Sequence, residues 1–134
     1  MATLTKKRKT REIKLNLPWP PSVNHLYRVN PMGGKSRLYK VKKAVAYADA
    51  VAWQLKQEKT EGFGTGRVEI DSKAHPPDRR RRDLDNIQKA ILDSLQGAGV
   101  YEDDCQVDRI GIQRCQVVPD GMVSVTVSGV DIVE

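Results

Sequence analysis

The sequence predicts an α+β or open α/β domain: a single mixed β-sheet carrying two helices, in the order β-α-β-α-β-β. Three observations lead there. Apolar and polar residues alternate near both ends of the chain, at Ile13, Leu15 and Leu17 and again at Val123, Val125 and Val127, which is the period of a half-buried strand. Residues 41–59 and 87–98 instead space their apolar side chains by three and four, the period of a helix. Proline- and glycine-rich clusters divide these segments.

In chain order, residues 1–11 are polar, basic and aperiodic, and are expected to form a disordered basic tail. The remainder, 12–134, falls within the size of one domain. A first strand over 12–17 ends at Pro18, since Pro18, Pro20 and Pro21 lack the N–H a ladder needs. Residues 22–39 are rich in Gly, Pro, Asn and basic side chains and read as a long loop. Within it, Asn24, Arg28, Lys35 and Arg37 are candidates for contact with phosphate or base, while His25 reads as an ordinary exposed loop residue. The helix over 41–59 carries the stripe Val41, Ala44, Val45, Ala48, Val51, Ala52 and Leu55, whose alanines allow close packing on a sheet or another helix.

Residues 61–66 form a turn. Its glycines are followed by a strand and by no Gly-Lys-Ser/Thr, so it is not a phosphate loop. The strand over 67–74 puts Val68, Ile70 and Ala74 on one face and stops at Pro76 and Pro77. Asp85, with Gln88 three residues on, fits a capping box opening the second helix, whose stripe is Ile87, Ala90, Ile91, Ser94, Leu95 and Ala98, with Gly97 and Gly99 as the stop. A strand over 106–118 changes phase between Ile110/Ile112 and Cys115/Val117, as a bulge near Gly111 would cause. Pro119, Asp120 and Gly121 suggest a hairpin turn into the last strand, 122–130.

Composition narrows the function. The net charge is +6, but Lys6, Lys7, Arg8, Lys9 and Arg11 supply five of those charges, leaving +1 from Glu12 onward. Affinity for a polyanion is therefore concentrated in the tail and in one arginine run. Cys105 and Cys115 have neither the spacing nor the histidine partners of a zinc site and are expected to be reduced. No apolar run approaches the ~20 residues of a membrane span, and no signal peptide is recognisable, so the chain reads as soluble and cytoplasmic, with no membrane partner.

The chemistry concentrates in residues 77–107. Arg79, Arg80, Arg81 and Arg82 run into Asp83 and Asp85, a helix follows, and Glu102, Asp103 and Asp104 stand beyond it. The arginines suit a phosphodiester backbone. Asp83 and Asp85 point the same way from extended chain, and if the connection after the helix doubles back, Asp104 joins them. Three converging carboxylates repel one another and call for a cation. Mg²⁺ fits, because it takes oxygen ligands and completes its shell with water and phosphate. Lys89, one turn after Asp85, is placed to face charge developing on that phosphate. Simpler roles exist for each residue: Asp85 as a cap, Asp83 as an arginine partner, Lys89 in an (i, i+4) pair with Asp85 worth about 0.2–0.5 kcal/mol. None of these explains the added Asp103 and Asp104.

The run PPDRRRRDLDNIQKAILDSL, with GAGVYEDDCQV after it, closely resembles the RusA family of Holliday-junction resolvases, small endodeoxyribonucleases of bacteria, phages and prophages. LPWPPSVNHLYR is similar to that family's opening segment, LPWPPS-x-N-x-x-Y-R, so the resemblance spans 17–107. It implies a homodimer that cuts four-way DNA junctions in recombination and repair with Mg²⁺ or Mn²⁺. Position by position, the family's essential acids fall on Asp83, Asp85 and Asp104, its functional lysine on Lys89, and a basic and a further acidic position on Arg82 and Asp103. Pro76 and residues 1–11 depart from the pattern without touching the acids. Two other functions compete: a DNA-binding module without catalysis, and a basic adaptor for an acidic protein.

Overall fold

Alternation in the first strand places Ile13, Leu15 and Leu17 on one face, where none is more than 3% exposed. The computed structural model describes residues 6–21 and 34–133. Its elements are β1 (Lys6–Leu17), α1 (Gly34–Gln57), β2 (Arg67–His75), α2 (Leu84–Gly97), a 3-10 turn (Asp104–Gln106), β3 (Val107–Arg114) and β4 (Met122–Val133). The expected single mixed sheet with two helices is what forms. Its strand order is β1-β4-β2-β3, with only the β2–β3 pair parallel. Val68, Ile70 and Ala74 of β2 and Val123, Val125 and Val127 of β4 join the β1 residues in one core beneath the helices. Among the described residues, no helix is long and apolar enough to cross a membrane.

Several expectations need correction. Lys6 to Arg11 are not a disordered tail: they extend β1, and Lys6 to Lys9 pair with Val130 to Val133 at the end of β4. The register slips between Lys9 and Glu12, and there Arg11 turns onto Phe63, 4.4 Å from the ring centre, donating to the carbonyls of Glu61 and Gly62 at 2.7 Å each. These contacts provide the apolar partner that local composition did not reveal. The first helix begins at Gly34, so Lys35 and Arg37 belong to α1 and not to a loop. Gly33, Gly34 and Ser36 hid that start, because their propensities are those of turns.

The third correction concerns strand β3. Its irregularity lies between Val107 and Arg109, at Asp108, and the phase change further on reflects the end of the strand at Arg114. Asp108 accepts from Lys7 at 2.9 Å and from Arg67 Nε at 2.7 Å, two cations that draw it out of register and hold its carboxyl below the usual range. The fourth concerns residues 119–121. Asp120, at φ 68°, and the Gly121 N–H to Val118 carbonyl bond of 2.8 Å make a turn. It is no hairpin, however, since β2 lies between β3 and β4.

The core face of α1 is also rotated from the expected stripe. Tyr47, Val51 and Leu55 are buried while Val45 is exposed. Burial of Tyr47 is compatible with its hydroxyl because that group donates to the Pro18 carbonyl at 2.7 Å. The helices approach closely where an added Cβ at Gly97 would lie 3.2 Å from the Ala48 methyl.

Candidate active site

The site is built where three connections meet: residues 18–21 after β1, residues 76–83 before α2, and residues 115–121 before β4. Gly121 packs so tightly that a Cβ there would stand 2.8 Å from Trp19 Cβ and 3.0 Å from Pro77 Cδ. The Val118 N–H donates to the Pro76 carbonyl at 3.0 Å, tying the third connection to the second. Together they surround a cleft of about 490 Å³, with Trp19, Ile87 and Val117 as its apolar wall and Arg79–Arg82, Asp83 and Arg114 as its polar one.

Asp83, not Asp85, is the N-cap of α2, with extended backbone at φ −87° and ψ 133°. Its side chain makes no capping bond, and Asp85 sits in the first helical turn. The expected Asp85–Gln88 box therefore does not start this helix. Leu84 is already helical, because Leu84 and Ile87 settle against the core and draw the helix one residue earlier. Both carboxylates are exposed, and no described residue donates a hydrogen bond or salt bridge to either. The pairing of Asp83 with an arginine is likewise unmet, since Arg82 turns to Asp78, 2.8 Å away. Two exposed carboxylates, two residues apart at the positive end of a helix and without a partner among the described residues, can receive a cation from solution without first breaking a bond to those residues.

Asp104 does return toward α2, but not to its start. The Tyr101 hydroxyl lies 2.8 Å from the Leu92 carbonyl and 2.9 Å from Asp104 Oδ1. Asp104 thus stands level with Leu92, seven residues beyond Asp85, or about 10 Å along the helix axis. Burial, then the Asp104 carboxylate, pushes the Tyr101 hydroxyl well above its ordinary value, so it stays a donor. Among the described residues no three of His, Cys, Asp and Glu are grouped closely enough to hold a metal within one chain. The donor set nevertheless suits Mg²⁺, which commonly takes one or two carboxylates and fills its shell with water and substrate phosphate. Lys89 is exposed on α2, one turn after Asp85.

Of the four arginines, Arg79, Arg80 and Arg81 are exposed, whereas the Arg82 side chain is only 21% exposed. Asn24, His25 and Arg28 lie outside the described residues. Two groups had no clear sequence signal. Asp78, four residues before Arg82, holds its carboxyl below the usual range, first through the Arg82 hydrogen bond and then through the Arg80 backbone N–H. Its lock on the loop is complete above the ordinary carboxylate pKa near 4 and is lost only as pH falls through the lowered value. Arg114, from β3, donates to the Arg82 carbonyl.

Asp103 has a structural role. It caps the 3-10 turn by accepting from the Cys105 N–H at 2.9 Å, and Gln106 returns a bond to the Asp103 N–H at 2.8 Å, a capping box. Cys105 and Cys115 are both free thiols.

Comparison with known proteins converges on one family. The sequence profile of Endodeoxyribonuclease RusA matches residues 18–128. Crossover junction endodeoxyribonuclease RusA of Escherichia coli (strain K12) is 39% identical over 114 residues, covering 85% of this chain and 92% of the relative. The proteins of the same name from Enterobacteria phages 82 and HK97 are also 39% identical, the latter over 117 residues and 94% of its length.

Proposed function

Because the chain belongs to the RusA endodeoxyribonuclease family, we propose that Asp83 and Asp85 are the metal-holding carboxylates of a four-way-junction resolvase, with Lys89 one turn beyond Asp85 and Asp104 farther along α2 completing the site. The activity is that of a crossover junction endodeoxyribonuclease, with DNA as substrate. The observation that carries the site assignment is that Asp83 lines an arginine-walled cleft and Asp85 follows it in the first turn of α2, both exposed and without a partner among the described residues. Placement at the N-terminus of α2 accounts for about 0.3–1 kcal/mol of stabilisation per carboxylate, but not for setting them beside an arginine-lined cleft.

Mg²⁺, or Mn²⁺ in its place, supplies Lewis-acid activation of the phosphoryl oxygen and a lower pKa for the attacking water. The chain's own groups do the rest. Asp83 and Asp85 offer oxygen ligands from a rigid helix start. Arg79, Arg80 and Arg81 grip phosphates of the junction arms, with Asn24, Arg28, Lys35 and Arg37 as further contacts to the DNA. Lys89 offsets negative charge that grows on the phosphate as the P–O bond breaks. The free thiols fit a reducing, cytoplasmic setting.

The direct test is cleavage of a synthetic four-way junction and of a plain duplex. The expected result is paired cuts in the junction with Mg²⁺ and none with EDTA. Junction binding without any cutting under Mg²⁺ or Mn²⁺ would leave a DNA-binding module only. A salt series tests the arginines: replacing Arg79 and Arg81 with Ala should flatten the log–log salt dependence of binding by about 0.9 per lost phosphate contact. An unchanged slope would place both side chains away from DNA.

Two cuts on opposed strands need two sites, and each chain brings one Asp83–Asp85 pair, so the acting species is a two-fold homodimer. Dimers mixed from wild-type and Asp85→Asn subunits are expected to nick one strand and rarely resolve the junction. Sedimentation of a monomer alone, free and junction-bound, would contradict this.

A further inference from the structure

Asp104 is reached by a side chain rooted in the core. The hydroxyl of Tyr101, three residues earlier, lies 2.9 Å from Asp104 Oδ1 and 2.8 Å from the Leu92 carbonyl. Tyr101 is only 1% exposed and belongs to the same core cluster as Leu95 and Val100. The chain around it is seated by backbone bonds: the Val100 N–H donates to the Leu95 carbonyl at 2.9 Å, and the Phe63 N–H to the Val100 carbonyl at 2.8 Å. Gly99, at φ 85°, makes the turn that sends the chain back along α2. A rigid ring thus carries one hydroxyl from the core out to the Asp104 carboxylate.

That hydroxyl has one proton to donate and two acceptors within reach. The Leu92 carbonyl lies inside α2, where the helix ladder supplies a donor of its own. The carboxylate takes the larger share, since a hydrogen bond to a charged group is roughly twice as strong as one between neutral groups.

We propose that Tyr101 is a positioning residue: its hydroxyl occupies Asp104 Oδ1, so that Oδ2 is the oxygen presented to the metal ion or its bound water. This deepens the site reading above and rests on Asp104 belonging to that site. Gln106 and Tyr101 then divide the task of placing Asp104. Gln106 bonds the main chain at Glu102 and Asp103 and so holds the turn, whereas Tyr101 holds the carboxylate that the turn carries. A carboxylate ordered in advance does not lose its rotational freedom again when an ion arrives.

Tyr101→Phe keeps the ring and removes only the hydroxyl, which separates aim from packing. The Mg²⁺ concentration for half-maximal single-turnover cutting is expected to rise about 10- to 100-fold, the usual cost of losing a group that orients a metal site. Excess Mg²⁺ should recover much of the rate, and junction affinity without metal should stay level. Electron paramagnetic resonance of Mn²⁺ on the complex with an uncleavable junction gives a readout apart from turnover. Tyr101→Phe should weaken Mn²⁺ binding by a similar factor, and by nothing further in the Asp104→Asn background.

The proposal is overturned if Tyr101→Phe matches the wild type in Mg²⁺ dependence and Mn²⁺ affinity, even where its urea midpoint falls, because a packing role alone does that. It is also overturned if Tyr101→Phe weakens Mn²⁺ binding equally with and without Asp104→Asn. Should Tyr101→Phe not fold, Asp104→Glu decides: it keeps the charge but moves the carboxylate off the hydroxyl by one methylene, and wild-type Mn²⁺ affinity there would refute the aiming role. Asp104→Asn alone separates the layers. If it cuts and binds Mn²⁺ normally, Asp104 leaves the site; if it is inactive while Tyr101→Phe is normal, only the role of Tyr101 fails.

Discussion

Asp83→Asn and Asp85→Asn are each expected to reduce junction cutting by more than about a hundredfold while binding stays level or tightens. The size follows from their place. Loss of a group that merely supports a metal ligand costs about 10- to 100-fold, and these two carboxylates are assigned as ligands themselves. The sign on binding follows from charge, since each variant removes a negative group from the start of α2, where Asp83 lines the arginine-walled cleft. Asp104→Asn is expected to be inactive as well. Its consequences reach further, because Asp104 also accepts from Tyr101 at 2.9 Å. Gel-shift and single-turnover assays on the same junction measure both quantities, and wild-type cutting by Asp83→Asn or Asp85→Asn would remove that residue from the site.

Gln106→Ala is expected to cause the largest loss of stability of any single polar substitution considered. The residue is 5% exposed, and its amide serves four backbone groups. Oε1 accepts from the N–H groups of Glu102 at 2.9 Å and Asp103 at 2.8 Å, while Nε2 donates to the carbonyls of Gly64 and Gly66 at 2.8 Å each. Truncation leaves these partners unpaired at about 1–3 kcal/mol for each that water does not reach, so a net loss of about 3 kcal/mol is expected in urea unfolding. Cutting should fall too, because these bonds hold the turn that carries Asp104. A change below about 0.5 kcal/mol would show that water replaces the amide.

How far the sequence could be read depended on whether the deciding contact was local. Val123, Val125 and Val127 announced their strand, and Ile87, Ile91 and Leu95 their helix, because burial on one face leaves a period in the chain. The acids Asp83 and Asp85 were legible for a related reason: they stand two residues apart, between an arginine run and a second acidic cluster. The capping box was assigned to the wrong copy of a repeated pattern. Asp85–Gln88 and Asp103–Gln106 share the spacing, and only the second forms, since Gln106 reaches the carbonyls of residues 64 and 66 far upstream. Arg11 on Phe63, Trp19 beneath Arg82 and Arg114 on the Arg82 carbonyl are likewise tertiary contacts with no local period. The parallel β2–β3 pair, with β4 inserted on the other side of β2, belongs to the same class. No turn residue between β3 and β4 records that another strand separates them.

The central claim is that Asp83 and Asp85 hold the divalent ion, and Mn²⁺ binding tests it without relying on turnover. Electron paramagnetic resonance can count bound Mn²⁺ on the folded protein with a four-way junction whose scissile phosphates are replaced by uncleavable analogues. The wild-type complex should bind Mn²⁺ in excess of the junction alone, and Asp83→Asn/Asp85→Asn should lose that excess while still binding the junction. Undiminished Mn²⁺ binding by the double variant would place the metal elsewhere and contradict the account.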